Sequence, residues 1–309
     1  MTRKKSQRKF RIALPLVIGA GIVAAVVWYL HRHTIAVLQP AGQIGYKERQ
    51  LLIVGVLLSA IVLVPVYIIT IVIVMKYREQ NHETHRVKYS PEWDGSRLFE
   101  GIWWGIPLAI IGVLSVITWQ SSHALDPYKA IASNKQPLTV QVVALDWKWL
   151  FIYPQQHVAS VNMVEIPTDT PVDFQITSDT VMNSFWIPQL GGQIYAMPGM
   201  STHLHLIADR SGSFYGSPAN IAGSGFARMT FVAKAVSQGG FDAWLHNAEN
   251  TNLRLDTVTY DHLARPSESN PVTYYSHVPD GLYNDVVMKY MTPNGKPAVG
   301  MLHNGGTTE

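Results

Sequence analysis

Three uninterrupted apolar runs limit this chain more than anything else in it. Ile12–Leu30, Leu51–Met75 and Gly101–Trp119 contain no charged side chain. At about 1.5 Å per residue, a 19-residue run such as Ile12–Leu30 reaches roughly 28 Å, close to the hydrocarbon thickness of a bilayer. The Ile and Val of the second run would suit buried strands in water, but no ordinary strand is that long. Pro65 in its middle is tolerated in a membrane helix. The second and third runs therefore read as membrane helices.

The first run admits two readings. Arg3, Lys4, Lys5, Arg8, Lys9 and Arg11 precede it with no acid among them, a pattern shared with secretory signal peptides. The run ends, however, in Trp28-Tyr29-Leu30 followed by His31-Arg32-His33. That is an aromatic and basic interface edge, not a small-residue cleavage site, and it favours a retained helix. Orientation follows from the loops. Lys76, Arg78, Arg86, Lys88 and Arg97 crowd the segment 76–100, whereas the link between the first two runs carries only Arg32, Lys47 and Arg49. The positive-inside bias places 76–100 and the basic N-terminus in the cytoplasm, and everything after Trp119 outside it.

The outer part reads as β. "LTVQVVALDWKWLFIY" alternates and is rich in β-branched and aromatic residues, and three later segments continue the series between Pro, Gly, Asp and Ser turns. Strands at this spacing suggest a sandwich or barrel. After Ser237-Gln238-Gly239-Gly240 the texture changes: "FDAWLHNAEN", "TYDHLAR" and "PDGLYNDVVMKYM" read as short helices, followed by a polar tail. The expected fold is a membrane α-helical hairpin with an extra N-terminal helix, then an all-β sandwich with a short helical C-terminal extension. The expected divisions are 1–35 for the basic N-terminus and apolar helix, 36–125 for the hairpin, 126–236 for the β-domain, 237–292 for the helical extension and 293–309 for the tail.

Composition removes several chemistries. The chain has no cysteine, which excludes disulfides, thiolate ligands, a thiol nucleophile and lipid attachment through cysteine. Any metal would need His, Met or carboxylate donors. A net charge of +3 is too mild to suggest nucleic acid, and no nucleotide-binding signature or internal repeat is present.

Several local motifs occur together in order: "VLQPAGQIG" before the second apolar run, "FEGIWWGIPLAI" opening the third, "HALDP", "DWKWLFIYP", "VMNSFWIPQLGGQIYAMPGM", "LHLIA" and "SESNPVTYYS". Over residues 36 to 292 the chain resembles subunit II of the haem–copper respiratory oxidases, specifically the quinol-oxidising branch, the cytochrome bo-type ubiquinol oxidases. The resemblance implies a cupredoxin-like outer domain in the periplasm and a multi-pass place in a bacterial inner membrane. It also implies partnership with a haem- and copper-bearing subunit I and other oxidase subunits, among membrane lipid. The complex would oxidise ubiquinol, reduce oxygen to water and translocate protons.

That resemblance gives "PANIAGSGFARM", residues 218–229, its meaning. Cytochrome c-oxidising relatives carry a dinuclear copper centre on Cys-x-Glu-x-Cys-x3-His-x2-Met, with a second His on an earlier loop. Laid on this chain, the cysteines fall on Pro218 and Ala222, the Glu on Asn220, the loop His on Phe226 and the earlier His on Asn183. Only Met229 keeps its donor. Bridged copper requires thiolates, and a single thioether cannot hold it. No metal or cofactor is therefore expected in this chain, and no catalytic residue. Haems, copper and ubiquinol are expected in the partner subunit, and the role here is structural and in assembly.

Glu100 is the one residue with an expected active role. The resemblance puts an acid there near the cytoplasmic mouth of a proton-uptake path, and a carboxylate at a helix entrance can collect protons while staying hydrated. The plain alternative is a solvated flank residue. His203 and His205 share one strand face, but no third donor is evident in sequence, and they read as structural. His31, His33, His82 and His85 read as interfacial or solvated. Trp147 and Trp149 read as core or subunit contacts, and Trp103–Trp104 as a membrane-interface anchor. Two features depart from the family pattern: no lipobox cysteine stands near His33, and the tail beyond Met291 has no counterpart. Alternative functions are a membrane-tethered cupredoxin-like binding module and a divergent cytochrome c oxidase subunit II.

Overall fold

The computed structural model describes residues 19, 21, 24–33, 35–76 and 95–291. The basic N-terminus, most of the segment expected in the cytoplasm, with His82 and His85, and the tail lie outside the described residues. Of the first apolar run, residues 24–30 are helical, and the helix continues to residue 32. Two long helices follow, α1 (Gln43–Lys76) and α2 (Arg97–Ala124), and both are long and apolar enough to cross a membrane. At 1.5 Å per residue α1 reaches about 50 Å, so its ends extend past the hydrocarbon. Most of its Ile, Leu and Val side chains are exposed, an arrangement that a lipid solvent accommodates and water does not. Three hydroxyls within the runs are satisfied on their own helices. Ser59 donates to the Gly55 carbonyl, Thr70 to Val66 and Ser115 to Ile111, each at 2.8 Å.

The outer domain is a two-sheet sandwich. Its strands are β1 (Leu138–Leu145), β2 (Lys148–Tyr153), β3 (Val158–Val161), β4 (Met163–Pro167), β5 (Val172–Ser178) and β6 (Asn183–Trp186). They continue with β7 (Gln193–Ala196), β8 (Thr202–Leu206), β9 (Gly212–Pro218) and β10 (Phe231–Val236). The alternating stretch 138–153 is two strands, turned back at Asp146-Trp147. A late strand, β11 (Thr273–Tyr275), was absent from the expected helical extension. It joins the first sheet beside β3, giving the order β11-β3-β2-β1-β5-β8. The second sheet runs β4-β10-β9-β6-β7. β1–β5 and β4–β10 pair in parallel and the remaining neighbours antiparallel.

Alternation places Trp149, Phe151, Phe174, Phe185 and Phe231 between the sheets. Phe185 and Phe231 stack at 5.1 Å between ring centroids, and Trp149 meets Phe185 edge-on at 5.4 Å. Offset and edge contacts of this kind add about 0.5–1.5 kcal/mol each beyond the burial of area.

The C-terminal helices are α3 (Gln238–Glu249), α4 (Thr257–Leu263) and α5 (Leu282–Met288). Ser237 caps α3 by accepting from the Gly240 N–H, and Asp256 caps α4 by accepting from that of Thr259 at 2.8 Å. Tyr260, Val278, Leu282, Tyr283 and Val286 pack on Val143, Leu145, Leu150 and Ile152. The extension therefore covers the outer face of the first sheet, and residues with odd and even parity in β1 and β2 are both buried.

Both membrane helices are tied to the sandwich. The Ala41 N–H donates to the Gln189 carbonyl at 2.7 Å and the Gly45 N–H to Leu190 at 3.0 Å, while the Asp209 N–H donates to Ala41 at 2.8 Å. A Cβ on Gly42 would stand 2.1 Å from the Ile207 carbonyl oxygen, so only glycine lets the helix start this close to the β-domain. This docking is the physical content of "QPAGQIG" and "QLGG". At the exit of α2, the Pro127 carbonyl accepts from the His205 backbone N–H at 3.2 Å and contacts its Nδ1 at 3.1 Å.

Candidate functional site

The loop 218–229 leaves β9, passes through a 3-10 turn at Phe226–Arg228 and enters β10. Strand pairing brings most of the aligned ligand positions to one end of the sandwich. β6 and β9 are antiparallel with Phe185 opposite Pro218, and the Ala219 N–H donates to the Ser184 carbonyl at 3.3 Å. Continuing that register places Asn183 opposite Asn220, on one face of the pair. Their amides are used locally: Asn183 Nδ2 donates to the Val181 carbonyl at 3.0 Å and Asn220 Nδ2 to that of Met182 at 2.9 Å.

The two indoles flank the loop. Trp147 Nε1 donates to the Ala222 carbonyl at 2.8 Å, and Trp149 Nε1 to the Met229 carbonyl at 3.1 Å. Ala222 and Met229 are buried and Phe226 is half-buried, while Ile221 stands 79% exposed at the tip. Gly223 sits at φ +93°, a conformation that favours glycine.

The donor set can be tested against a dinuclear copper centre on chemistry alone. Pro218, Ala222 and Phe226 present hydrocarbon, Asn183 and Asn220 present neutral amides, and only Met229 offers sulfur. These residues do not fit the group, because bridged copper needs two thiolates and imidazole nitrogens. Among the described residues, no group of three or more His, Asp or Glu is arranged to hold a metal ion.

Glu100 lies in the first turn of α2, exposed, with its backbone N–H donating to the Ser96 carbonyl at 2.9 Å. It is far in sequence and fold from the loop, and nothing brings the two together. Trp103 and Trp104 are likewise exposed on α2.

The His-x-His pair keeps its structural reading, with one addition that the sequence did not signal. A third donor does stand nearby, since β5 pairs with β8 so that Asp173 lies opposite His205. Its Oδ1 is 3.0 Å from His203 Nδ1 and 3.6 Å from His205 Nε2. Nothing in sequence separated by some 30 positions signals this contact, because it depends on strand register. With Nδ1 of His205 on the Pro127 carbonyl, the cluster reads as a polar tether between β5, β8 and the exit of α2.

Two further buried charges escaped sequence reading. Lys148 is fully buried, and its Nζ donates to the carbonyls of Leu263 at 2.7 Å and Arg265 at 2.8 Å. Burial lowers its pKa, partly countered by Asp146. The Asp179 carboxylate accepts from Tyr260 Oη and Lys289 Nζ, each at 2.8 Å, and from Tyr290 Oη at 2.9 Å. Burial, then the Asp179 charge, raises the pKa of both phenols. Together these contacts fasten the C-terminal extension to the sandwich.

Comparison with known proteins agrees with this architecture. Residues 153–236 match the family described as cytochrome c oxidase subunit II, periplasmic domain, and residues 250–294 the cytochrome oxidase aromatic-rich motif. Cytochrome bo(3) ubiquinol oxidase subunit 2 of Pseudomonas aeruginosa is 48% identical over 251 residues, covering 81% of this chain and 75% of that one. The protein of the same name from Pseudomonas putida is 44% identical over 299 residues, covering 96% and 91%. Ubiquinol oxidase subunit 2 of Acetobacter aceti is 47% identical over 256 residues, covering 82% of each chain.

Proposed function

The chain belongs to the ubiquinol oxidase subunit 2 family of haem–copper oxidases, and from that membership we propose that it is the redox-silent second subunit of a proton-pumping terminal oxidase in an aerobic respiratory chain. The observation that carries the redox-silent part is the donor set at residues 218–229, which offers no thiolate and no imidazole at the aligned positions. Electrons then enter the complex elsewhere, and a lipid-soluble quinol can deliver them within the membrane to a haem- and copper-bearing partner subunit. The contribution of this chain is scaffolding and assembly. Its β-domain is fastened to both membrane helices by the contacts at Ala41, Gly45 and Pro127, a frame able to hold a partner in fixed register.

The charge bias around 76–100 supports an inner-membrane subunit with the β-domain in the periplasm. The divisions at 35/36, 125/126, 236/237 and 292/293 are proposed as its organisation, with Glu100 as the entrance of a proton-uptake path. The donor chemistry favours neither a copper-carrying tethered module nor a divergent cytochrome c oxidase subunit.

The test is purification of the complex from membranes through a tag on this chain. The expected result is a co-purified haem protein that oxidises ubiquinol and is inactive with reduced cytochrome c. A preparation that oxidises cytochrome c, or a chain that emerges without haem protein, overturns the proposal.

A further inference from the structure

His205 has an acceptor on each side of its ring. Nδ1 lies 3.1 Å from the Pro127 carbonyl oxygen, and Nε2 lies 3.6 Å from Asp173 Oδ1. A carbonyl oxygen has no proton to give, so Nδ1 must carry one to satisfy it. A neutral imidazole has a single N–H, and spending it there turns the Nε2 lone pair toward a carboxylate. The two side chains are only 13% and 16% exposed, so little water screens that clash.

The other partners of Asp173 do not relieve it. Its Oδ1 is also 3.0 Å from His203 Nδ1, and Gln175 Nε2 donates to Oδ2 at 3.5 Å. His203 makes its contact as an ordinary neutral tautomer with the proton on Nδ1, and needs no charge. The contact between Asp173 and His205 is different. It needs one proton more than a carboxylate and a neutral imidazole supply, whether that proton sits on Nε2 or on Oδ1.

The remaining titratable and charged neighbours leave this requirement in place. On α5, Tyr283 lies near Asp173 and shares a 2.8 Å hydrogen bond with Ser201, and burial raises its phenol pKa, so it stays neutral wherever imidazole titrates. Beside Pro127 stand Asp126, Tyr128 and Lys129, all exposed. Asp126 accepts from the Tyr128 N–H at 3.0 Å, and the Tyr128 ring is 6.0 Å from that of His203. Among the described residues, none of these bonds a ring nitrogen of His205.

The contact holds the exit of α2. Pro127 follows the end of that helix at Ala124, and its carbonyl accepts from the His205 backbone N–H at 3.2 Å as well as meeting the ring. We propose that Asp173 and His205 form a proton-dependent clasp on this exit. With the extra proton, the ring binds Pro127 and Asp173 together and the segment is held. Without it, the ring satisfies one acceptor and is repelled by the other, and the segment loosens. Imidazole changes its charge between about pH 5 and 8, and the clasped state holds one more proton than the open one, so acid closes the clasp and alkali opens it. In the orientation proposed above, the clasp faces the compartment that receives protons, whose acidity then sets how firmly α2 is held. That consequence rests on the functional reading; the clasp itself does not.

The test is a nitroxide on Ala130→Cys, an exposed position just beyond Pro127 in a chain with no other cysteine. The full-length chain is purified in detergent with whatever subunits accompany it, and near-ultraviolet circular dichroism checks its folding. Electron paramagnetic resonance should show the label roughly two- to threefold slower in its motion at about pH 5.5 than at about pH 8.5. Asp173→Asn and His205→Gln, each close in shape to the native residue, should both abolish the difference, and His203→Gln should keep it. Equal mobility at the two pH values in the folded native background overturns the proposal. So does a difference that survives in a folded Asp173→Asn or His205→Gln chain, or one that disappears in His203→Gln, which would move the titrating group to His203. Haem content and quinol activity of the same preparation judge the functional reading separately.

Discussion

The indole N–H of Trp147 donates to the backbone carbonyl of Ala222 at 2.8 Å, so the loop is held from below by an aromatic ring. The same ring packs against Gly223 and Gly225. A Cβ on Gly225 would come within 2.4 Å of it. The loop therefore keeps its course through packing and one hydrogen bond. Gly225→Ala is expected to destabilise the β-domain by about 1–3 kcal/mol through overpacking. Trp147→Phe, which leaves the Ala222 carbonyl without that donor, is expected to cost about 1 kcal/mol. Thermal unfolding of the detergent-purified chain, followed by near-ultraviolet circular dichroism, measures both; an unchanged midpoint for Gly225→Ala would refute the packing account.

Restoring the donors should restore the chemistry. Asn183→His, Pro218→Cys, Asn220→Glu, Ala222→Cys and Phe226→His, combined with the native Met229, place two thiolates and two imidazoles at one end of the sandwich. The variant chain is expected to bind copper and to become visibly coloured, which titration with copper followed by absorption spectroscopy detects. A variant that folds but stays colourless would show that the alignment of this loop is out of register.

What could be read in sequence was whatever is decided locally. α1 and α2 follow from unbroken apolar runs, and the sandwich from alternation and turn residues. The C-terminal helices follow from their texture. Missing were features set by pairing between distant segments. β11 exists because Thr273–Tyr275 finds the edge of β3, which no local pattern announces. Asp173 meets His203 and His205 only through the β5–β8 register. Lysine ordinarily reads as a surface residue, so nothing marked Lys148 as buried before the α4 carbonyls were seen beside it. Glu100 was singled out by family position, not by any property of its surroundings.

Lys148 closes the C-terminal end of α4, where unsatisfied carbonyls attract a cation. Lys148→Met keeps much of the volume but leaves the carbonyls of Leu263 and Arg265 without their donor. The expected cost is about 1.5–3 kcal/mol, the scale of hydrogen bonds to a charged group. The effect should be local to the extension. Limited proteolysis should then cut near residues 264–270 in the variant under conditions where the native chain is intact. Equal resistance of the two proteins would remove Lys148 from this role.

Alkaline pH should loosen the same attachment. Tyr260 and Tyr290 have folded-state pKa values raised by burial and by Asp179, above the ordinary value near 10. Above about pH 10 the unfolded chain loses these phenolic protons while the folded chain keeps them, so the folded state binds more protons and stability falls as pH rises. The melting temperature should decline from about pH 10 upward. Tyr260→Phe with Tyr290→Phe should flatten that decline, at the cost of lower stability at neutral pH. A slope indifferent to both substitutions would assign the alkaline loss to other groups.

Glu100 tests the one active role proposed for this chain. Its carboxylate is exposed in the first turn of α2, where the helix dipole favours a negative charge by about 0.3–1 kcal/mol. Glu100→Gln removes that small contribution and keeps the size and polarity of the side chain, so assembly should be unaffected. Haem content per copy of the tagged chain checks this directly. If the carboxylate gathers protons for the complex, Glu100→Gln and Glu100→Ala should both slow ubiquinol oxidation several-fold at unchanged haem content. Glu100→Asp, which retains the ionisable group one methylene shorter, should recover part of the rate. A solvated flank residue would give the native rate in all three variants, and that outcome would return Glu100 to an ordinary helix-end acid.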